Sequence, residues 1–134
     1  GKFDLGSDYL KSQGVQNDVY DPFNRSAEHN KTVLDAAKTV PPDTVTVNNV
    51  LNVIQEPSVR ANVIQQAKDI IKPGGSVFFQ IYEGTGKGVG KKTTKGFQNN
   101  KKTNEYLEEI QKVFPDAERR GNVIIGTSSA LWRA

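Results

Sequence analysis

Three asparagines, Asn48, Asn49 and Asn52, fall within five positions directly after the β-branched run Thr44-Val45-Thr46-Val47. A side-chain amide presents both a donor and an acceptor, so such a cluster can orient an amine, an amide or a base edge without adding charge. Asparagine equally favours turns and helix caps. Asp21 closes another short run, Val15 to Tyr20, and is followed by Pro22. A carboxylate at the end of a parallel strand can accept two hydrogen bonds from sugar hydroxyls; the alternative is an Asp-Pro turn whose carboxylate caps backbone amides. Glu83 follows the apolar run Val77 to Tyr82. There it can act as a base, orient a substrate amine, or simply be a solvated acid, while Tyr82 can stack on a base or a sugar.

The second concentration of chemistry is cationic. Lys87, Lys91, Lys92, Lys95, Lys101 and Lys102 crowd one glycine-rich segment, with Glu83 the nearest acid before Glu105. The net charge of the whole chain is only +3, so this local cluster is the better argument for an anionic partner. It also reads as a solvated loop. The segment does not fit a nucleotide-binding Gly-Lys loop. Thr85 stands where the first glycine of that pattern belongs, and Lys92 where its Ser or Thr belongs. A backbone-plus-lysine grip on nucleic-acid phosphate, with Phe97 available for stacking, remains consistent with the residues. His29 is the single histidine and has Asp21, Arg25 and Glu28 near it in sequence. It can serve as an acid or base or be structural. Without cysteine or a second histidine no transition-metal site is expected, no disulfide is possible, and no nucleophile elbow is present.

The elements that position these residues follow from hydrophobic period and punctuation. A short helix is expected over Ser7 to Gln13, stopped by Gly14, and then a strand over Val15 to Tyr20. Ser26 opens a helix running to about Lys38, which Pro41-Pro42 ends. Thr44 to Asn48 reads as a strand. Pro57 opens the most regular amphipathic helix, with Val59, Val63, Ile64, Ala67, Ile70 and Ile71 at helical spacing, and Lys72 and Gly74-Gly75 end it. Val77 to Tyr82 reads as a continuous apolar strand buried on both faces. Residues 84–103 show no apolar period. Tyr106, Leu107, Ile110, Val113 and Phe114 mark a helix ended by Pro115, and Ala117–Arg120 with Asn122–Thr127 read as an antiparallel pair hinged at Gly121. This alternation predicts a layered α/β domain with a mostly parallel sheet, over residues 1–127, with residues 128–134 as a tail. No apolar stretch is long enough to span a membrane. The chain has no methionine and begins at Gly1, which predicts a processed piece, an excised domain or an initiator-trimmed protein.

Several runs together resemble a known family. Asn49-Val50-Leu51-Asn52-Val53-Ile54, Arg60, Lys72-Pro73-Gly74-Gly75 and the strand after it resemble the carboxyl-terminal half of class I S-adenosylmethionine-dependent methyltransferases. Val19-Tyr20-Asp21 is similar to that family's second strand, and Gly1-Lys2-Phe3-Asp4 to the end of its glycine-rich loop. Tyr-Asp-Pro-Phe-Asn-Arg-Ser, Tyr-Glu-Gly-x-Gly-x-Gly and Gln-Asn-Asn-x-Lys-Thr further resemble a subgroup met in phage and mobile-element proteins.

The resemblance implies a Rossmann-like methyltransferase-type domain with a carboxyl-terminal antiparallel strand pair, reduced in strand number. Its first strand is missing, and there is no room for its third. A partner chain or a segment of a parent protein would then supply a strand. It also implies S-adenosylmethionine as cofactor, held by Gly1, Asp21 and Asn48. Asn48, Asn49 and Glu83 would orient the acceptor, the lysines would guide a nucleic-acid or other anionic substrate, and a cytoplasmic setting would suit the enzyme. The other expectation open from sequence is a cofactor-free module on the same frame that binds or cuts nucleic acid, of nuclease or toxin type.

Overall fold

The computed structural model describes residues 5–15, 17, 18, 26–93 and 96–128. The chain forms two compact units, Gly1–Pro41 and Pro42–Ala134.

The described residues of the first unit form two helices. α1 spans Leu5–Ser12 and stops at Gly14, whose φ of 77° turns the chain so that the Val15 amide donates back to the Leu10 carbonyl at 2.9 Å. α2 spans Ala27–Thr39. Ser26 is its N-cap, with Oγ accepting from the His29 amide at 3.1 Å, as the sequence predicts. Val15, Asn17 and Asp18 have no strand geometry; the rest of the strand expected over Val15–Tyr20 lies outside the described residues.

The second unit is a mixed α/β layer. β1 (Thr44–Asn48) leads through a 3₁₀ turn (Leu51–Val53) to α3 (Pro57–Ile70), and then to β2 (Ser76–Gln80). A hairpin of β3 (Lys91–Thr93) and β4 (Gly96–Gln98) follows, then α4 (Asn104–Gln111), β5 (Glu118–Arg120) and β6 (Val123–Thr127). The four-stranded sheet has the order β1-β2-β6-β5. β1 and β2 are parallel, with Val45 beside Val77 and Val47 beside Phe79. β6 runs against both β2 and β5, with Ile124 beside Phe79 on one side and Arg119 on the other.

The α/β alternation and the closing antiparallel pair are as expected. The sheet itself is mixed rather than mostly parallel, because β6 inserts between β2 and β5 and reverses both pairings. The β1–α3–β2 crossover depends on the Lys-Pro-Gly-Gly turn. Gly74 sits at φ 84°, and a side chain on Gly75 would lie 2.6 Å from the Asp43 carbonyl and 2.7 Å from Ile71 Cγ1. Only glycine lets the two backbones pass this closely. The Lys72 amide donates to the Pro42 carbonyl at 3.0 Å and the Ser76 amide to the Asp43 carbonyl at 3.1 Å, which zips β1 to β2 from their first residues.

One face of the sheet builds the core. Val77, Phe79 and Ile124 are buried with Ile64, Ala67 and Ile71 from the α3 segment, and with Tyr106, Ile110 and Phe114 from the α4 segment. The Phe79 and Phe114 rings meet edge to face at 6.1 Å and 61°, the arrangement aromatic quadrupoles favour. Each such side chain contributes roughly 1.5–3 kcal/mol by leaving water. On β2 burial alternates: Val77 and Phe79 are buried, Ser76 and Phe78 half-buried, Gln80 exposed. The expectation that this strand is buried on both faces is therefore corrected. An antiparallel neighbour and helices serving one face leave the period-2 pattern of a half-covered sheet.

Among the described residues, the core also holds one charged group. Arg60 is 2% exposed and makes a bidentate pair with Glu109, Nε to Oε2 at 2.9 Å and Nη2 to Oε1 at 2.7 Å. Its Nη1 donates to the carbonyls of Ile54 and Gln55 at 2.8 and 3.0 Å, and the guanidinium lies 5.8 Å from the centre of the Tyr106 ring. The hydrogen-bonded Glu109 carboxylate raises the Arg60 pKa despite burial. Ser128, assigned to the tail from sequence, belongs to the folded unit: it is buried and its amide donates to the Gly75 carbonyl at 2.9 Å.

Candidate functional site

The carboxyl ends of β1 and β2 point to the same edge of the sheet, because the two strands are parallel and in register to their last pair, Asn48 beside Gln80. Open α/β sheets bind ligands at this edge. The three asparagines there divide their work. Asn48 ends β1 and is exposed. Asn49 takes the left-handed conformation at φ 58°, while its amide extends the ladder to the Gln80 carbonyl at 2.9 Å; asparagine tolerates that conformation better than most residues. The turn swings Asn52 inward. It is 2% exposed, its Nδ2 donates to Gln98 Oε1 at 3.0 Å, and its Oδ1 accepts from the Tyr82 amide at 3.3 Å. Asn48 and Asn49 thus remain at the edge with exposed side chains, whereas Asn52 is a structural peg.

Within 84–103, expected to be a loop, the described residues 84–93 and 96–103 instead form the paired strands β3 and β4 and the turns that tie them down. Side-chain amides tie this segment to the turn after β1 and to Tyr82 just after β2. Asn99 Nδ2 donates to the carbonyls of Leu51 and Ile54 at 3.1 and 2.9 Å. The Asn99 amide donates to the Asn52 carbonyl at 2.9 Å, and Gln98 Nε2 donates to the Tyr82 carbonyl at 3.0 Å. Asn100 holds the glycine-rich turn, with Nδ2 to the Val89 carbonyl at 3.0 Å and its carbonyl accepting from the Gly88 amide at 2.8 Å. Gly84, at φ 58°, passes directly against the Asn100 amide. The run Gln98-Asn99-Asn100 carried this role in the sequence: three consecutive amides after a glycine-rich stretch are suited to bridging backbone groups.

The braced hairpin carries the lysines. Lys91 pairs with Gln98 and Lys92 with Phe97 across the strands. All but one of the described lysines in this cluster are exposed: Lys87, Lys91, Lys92 and Lys102, with Lys101 half-buried. Lys102 runs along the turn at Gly86. Phe97 lies against Gly90 on the face it shares with Lys92. Lys95, Asp21 and Gly1, three of the expected binding residues, lie outside the described residues.

Glu83 is engaged. Its Oε2 accepts from the Thr103 amide at 2.6 Å, at the start of α4. That hydrogen bond chiefly, with the charges of Lys102 and Arg119, holds its carboxyl below the usual range. It is therefore an ionised acceptor at neutral pH, suited to orienting a donor and poorly suited to taking a proton. The Glu105 carboxylate accepts from the Lys102 amide at 3.1 Å, so two acids fix the lysine-bearing entry to α4. Among the described helices none is long and apolar enough to cross a membrane.

The edge thus combines exposed amides, an ionised carboxylate and a rigidly braced basic hairpin. It offers positive charge from its lysines and hydrogen-bond donors and acceptors from its exposed amides. No protein-family model and no curated protein matches this chain significantly.

Proposed function

We propose that this chain is a methyltransferase-like α/β domain, Rossmann-like and reduced in strand number, that transfers a methyl group from S-adenosylmethionine to a nucleic-acid or other anionic acceptor. The observation that carries the reading is the basic hairpin tied, through Asn52 with Gln98 and Asn99 with Leu51 and Ile54, to the turn that follows Asn48 and Asn49 at the carboxyl edge of the parallel β1–β2 pair. The crossover helix between those strands and the closing antiparallel pair beside them support it. When bound, the cofactor supplies an electrophilic methyl group. Of the residues expected to hold it, Asn48 fits by position and exposure; Asp21 would accept the ribose hydroxyls and the Gly1 loop would pack against them. Asn48 and Asn49 orient the acceptor, Glu83 accepts hydrogen bonds from it as a carboxylate, and Lys87, Lys91, Lys92, Lys95, Lys101 and Lys102 hold its phosphates. Catalysis on this scheme is mainly positioning. A thermal-shift titration tests it: S-adenosylmethionine raises the melting temperature of the intact chain, and Asp21→Ala removes the shift. A flat titration of the intact chain overturns cofactor use.

One observation favours a second reading. The hairpin is braced by Asn52, Gln98, Asn99 and Asn100, none of which is expected to touch the cofactor. A cofactor-free module that binds or cuts nucleic acid could use the same grip. In that case salt-sensitive binding survives Asp21→Ala and needs no S-adenosylmethionine.

A further inference from the structure

We infer that the ligand at this edge is a single-stranded nucleic acid, and that the Tyr82 ring is the platform on which one of its bases stacks beside the phosphate-holding lysines. The inference rests on the nucleic-acid part of the reading above and narrows it to a strand whose bases are unpaired.

Tyr82 is 56% exposed, while its neighbour Ile81 is 1% exposed and in the core. An exposed aromatic is ordinary in itself. The backbone beneath this one is not free: the Tyr82 amide donates to Asn52 Oδ1 at 3.3 Å, and its carbonyl accepts from Gln98 Nε2 at 3.0 Å. Two side chains, themselves joined at 3.0 Å, clamp both peptide groups. The ring is thus presented from a fixed base, which lowers the ordering cost of stacking on it.

Gln98 also lies directly across the hairpin from Lys91, and cross-strand partners on one face have Cβ atoms roughly 4.5–5.5 Å apart. The amide that fixes the aromatic therefore has a cation as its neighbour. An aromatic and a lysine linked through one amide suit a base and its backbone phosphate, and base–aromatic stacking is tolerant of sequence because every base has a π-face. In a duplex those faces are covered, and exposing one costs unstacking and unpairing. Lysine, a flexible point charge without the planar fork of arginine, suits a phosphate held by charge alone.

The test measures binding to the intact chain, without cofactor, by fluorescence anisotropy. The probes are a labelled mixed-sequence 12-mer, the same 12-mer as a blunt duplex, and an abasic strand of equal length. The single strand is expected to bind about 10-fold more tightly than the duplex or the abasic strand. Tyr82→Ala should weaken single-strand binding by about 10-fold, leave the abasic strand unaffected and keep the salt dependence; Tyr82→Phe should retain wild-type affinity. Lys91→Gln should weaken all three probes and lower the salt slope. Salt-sensitive binding that is indifferent to strandedness or to Tyr82→Ala overturns this inference alone. Failure of every probe to bind at low salt overturns the nucleic-acid reading as well, and leaves cofactor use to its own titration.

Discussion

The Asn52 side chain donates to Gln98 Oε1 at 3.0 Å across 46 residues of sequence, and this bond joins the turn after β1 to the hairpin that carries the lysines. Neither residue is placed to do chemistry itself. Together they decide where the chemistry-bearing groups stand. Removing the Asn52 amide leaves the half-buried Gln98 side chain and the Tyr82 amide short of a partner, a loss of about 1–3 kcal/mol. Asn52→Ala is expected to destabilise the chain by that amount in denaturant unfolding. Hydrogen exchange at the Tyr82 and Asn99 amides should quicken more than at β1, because the hairpin is released before the sheet opens.

The Arg60–Glu109 pair makes a second, independent prediction. Arg60 is nearly inaccessible, whereas the Glu109 side chain is 26% exposed. Glu109→Gln leaves a buried cation with weaker partners, and Arg60→Ala removes both the pair and the bonds to Ile54 and Gln55. Breaking a buried pair costs about 3–5 kcal/mol, and the partial exposure of Glu109 places this one at the lower end. A double-mutant cycle in urea checks it, with Arg60→Ala expected to be the more damaging single change.

Glu83 gives the pH prediction. Its folded pKa lies below the ordinary glutamate value, chiefly because of the Thr103 amide. Folding is therefore favoured by its charge above the unfolded pKa, roughly 4.3, and that contribution is lost as pH falls through the depressed folded value. Wild type should exceed Glu83→Gln in stability at pH 7, and the gap should close as pH falls below about 4. A gap that persists unchanged into acid would show that the Thr103 contact does not depend on the charge.

Gly75→Ala is expected to damage the β1–α3–β2 crossover. Its new methyl group would meet the Asp43 carbonyl and Ile71 at under 3 Å, a contact that must push apart two paired strands. The change should cost about 1–3 kcal/mol, as overpacking does. Gly88 is the matched control: an added methyl group there meets open space, so Gly88→Ala bears only the strain of its positive φ. Urea unfolding of the two variants side by side checks the difference.

How much of this was legible depended on whether a segment announces itself locally. Thr44–Asn48, the helix from Pro57 and the pair hinged at Gly121 carry their own period and punctuation, and the structure follows them. The β3–β4 hairpin does not. Lys-Lys-Thr and Gly-Phe-Gln are too short for alternation to show, and their support comes from Asn52, Leu51 and Ile54, far away in sequence. Burial of β2 was overstated for a related reason: an apolar run does not say that its neighbour will be antiparallel. The three asparagines looked alike in sequence, and only the left-handed turn at Asn49 separates the two at the edge from the one inside.

The most direct measurement is transfer of labelled methyl from S-adenosylmethionine to single-stranded oligonucleotides of mixed sequence by the intact chain. The account predicts label in the nucleic acid, lost in Asp21→Ala and reduced through a higher KM in a Lys91→Gln, Lys92→Gln double variant. A chain that binds those strands yet incorporates no label above the Asp21→Ala background would contradict it.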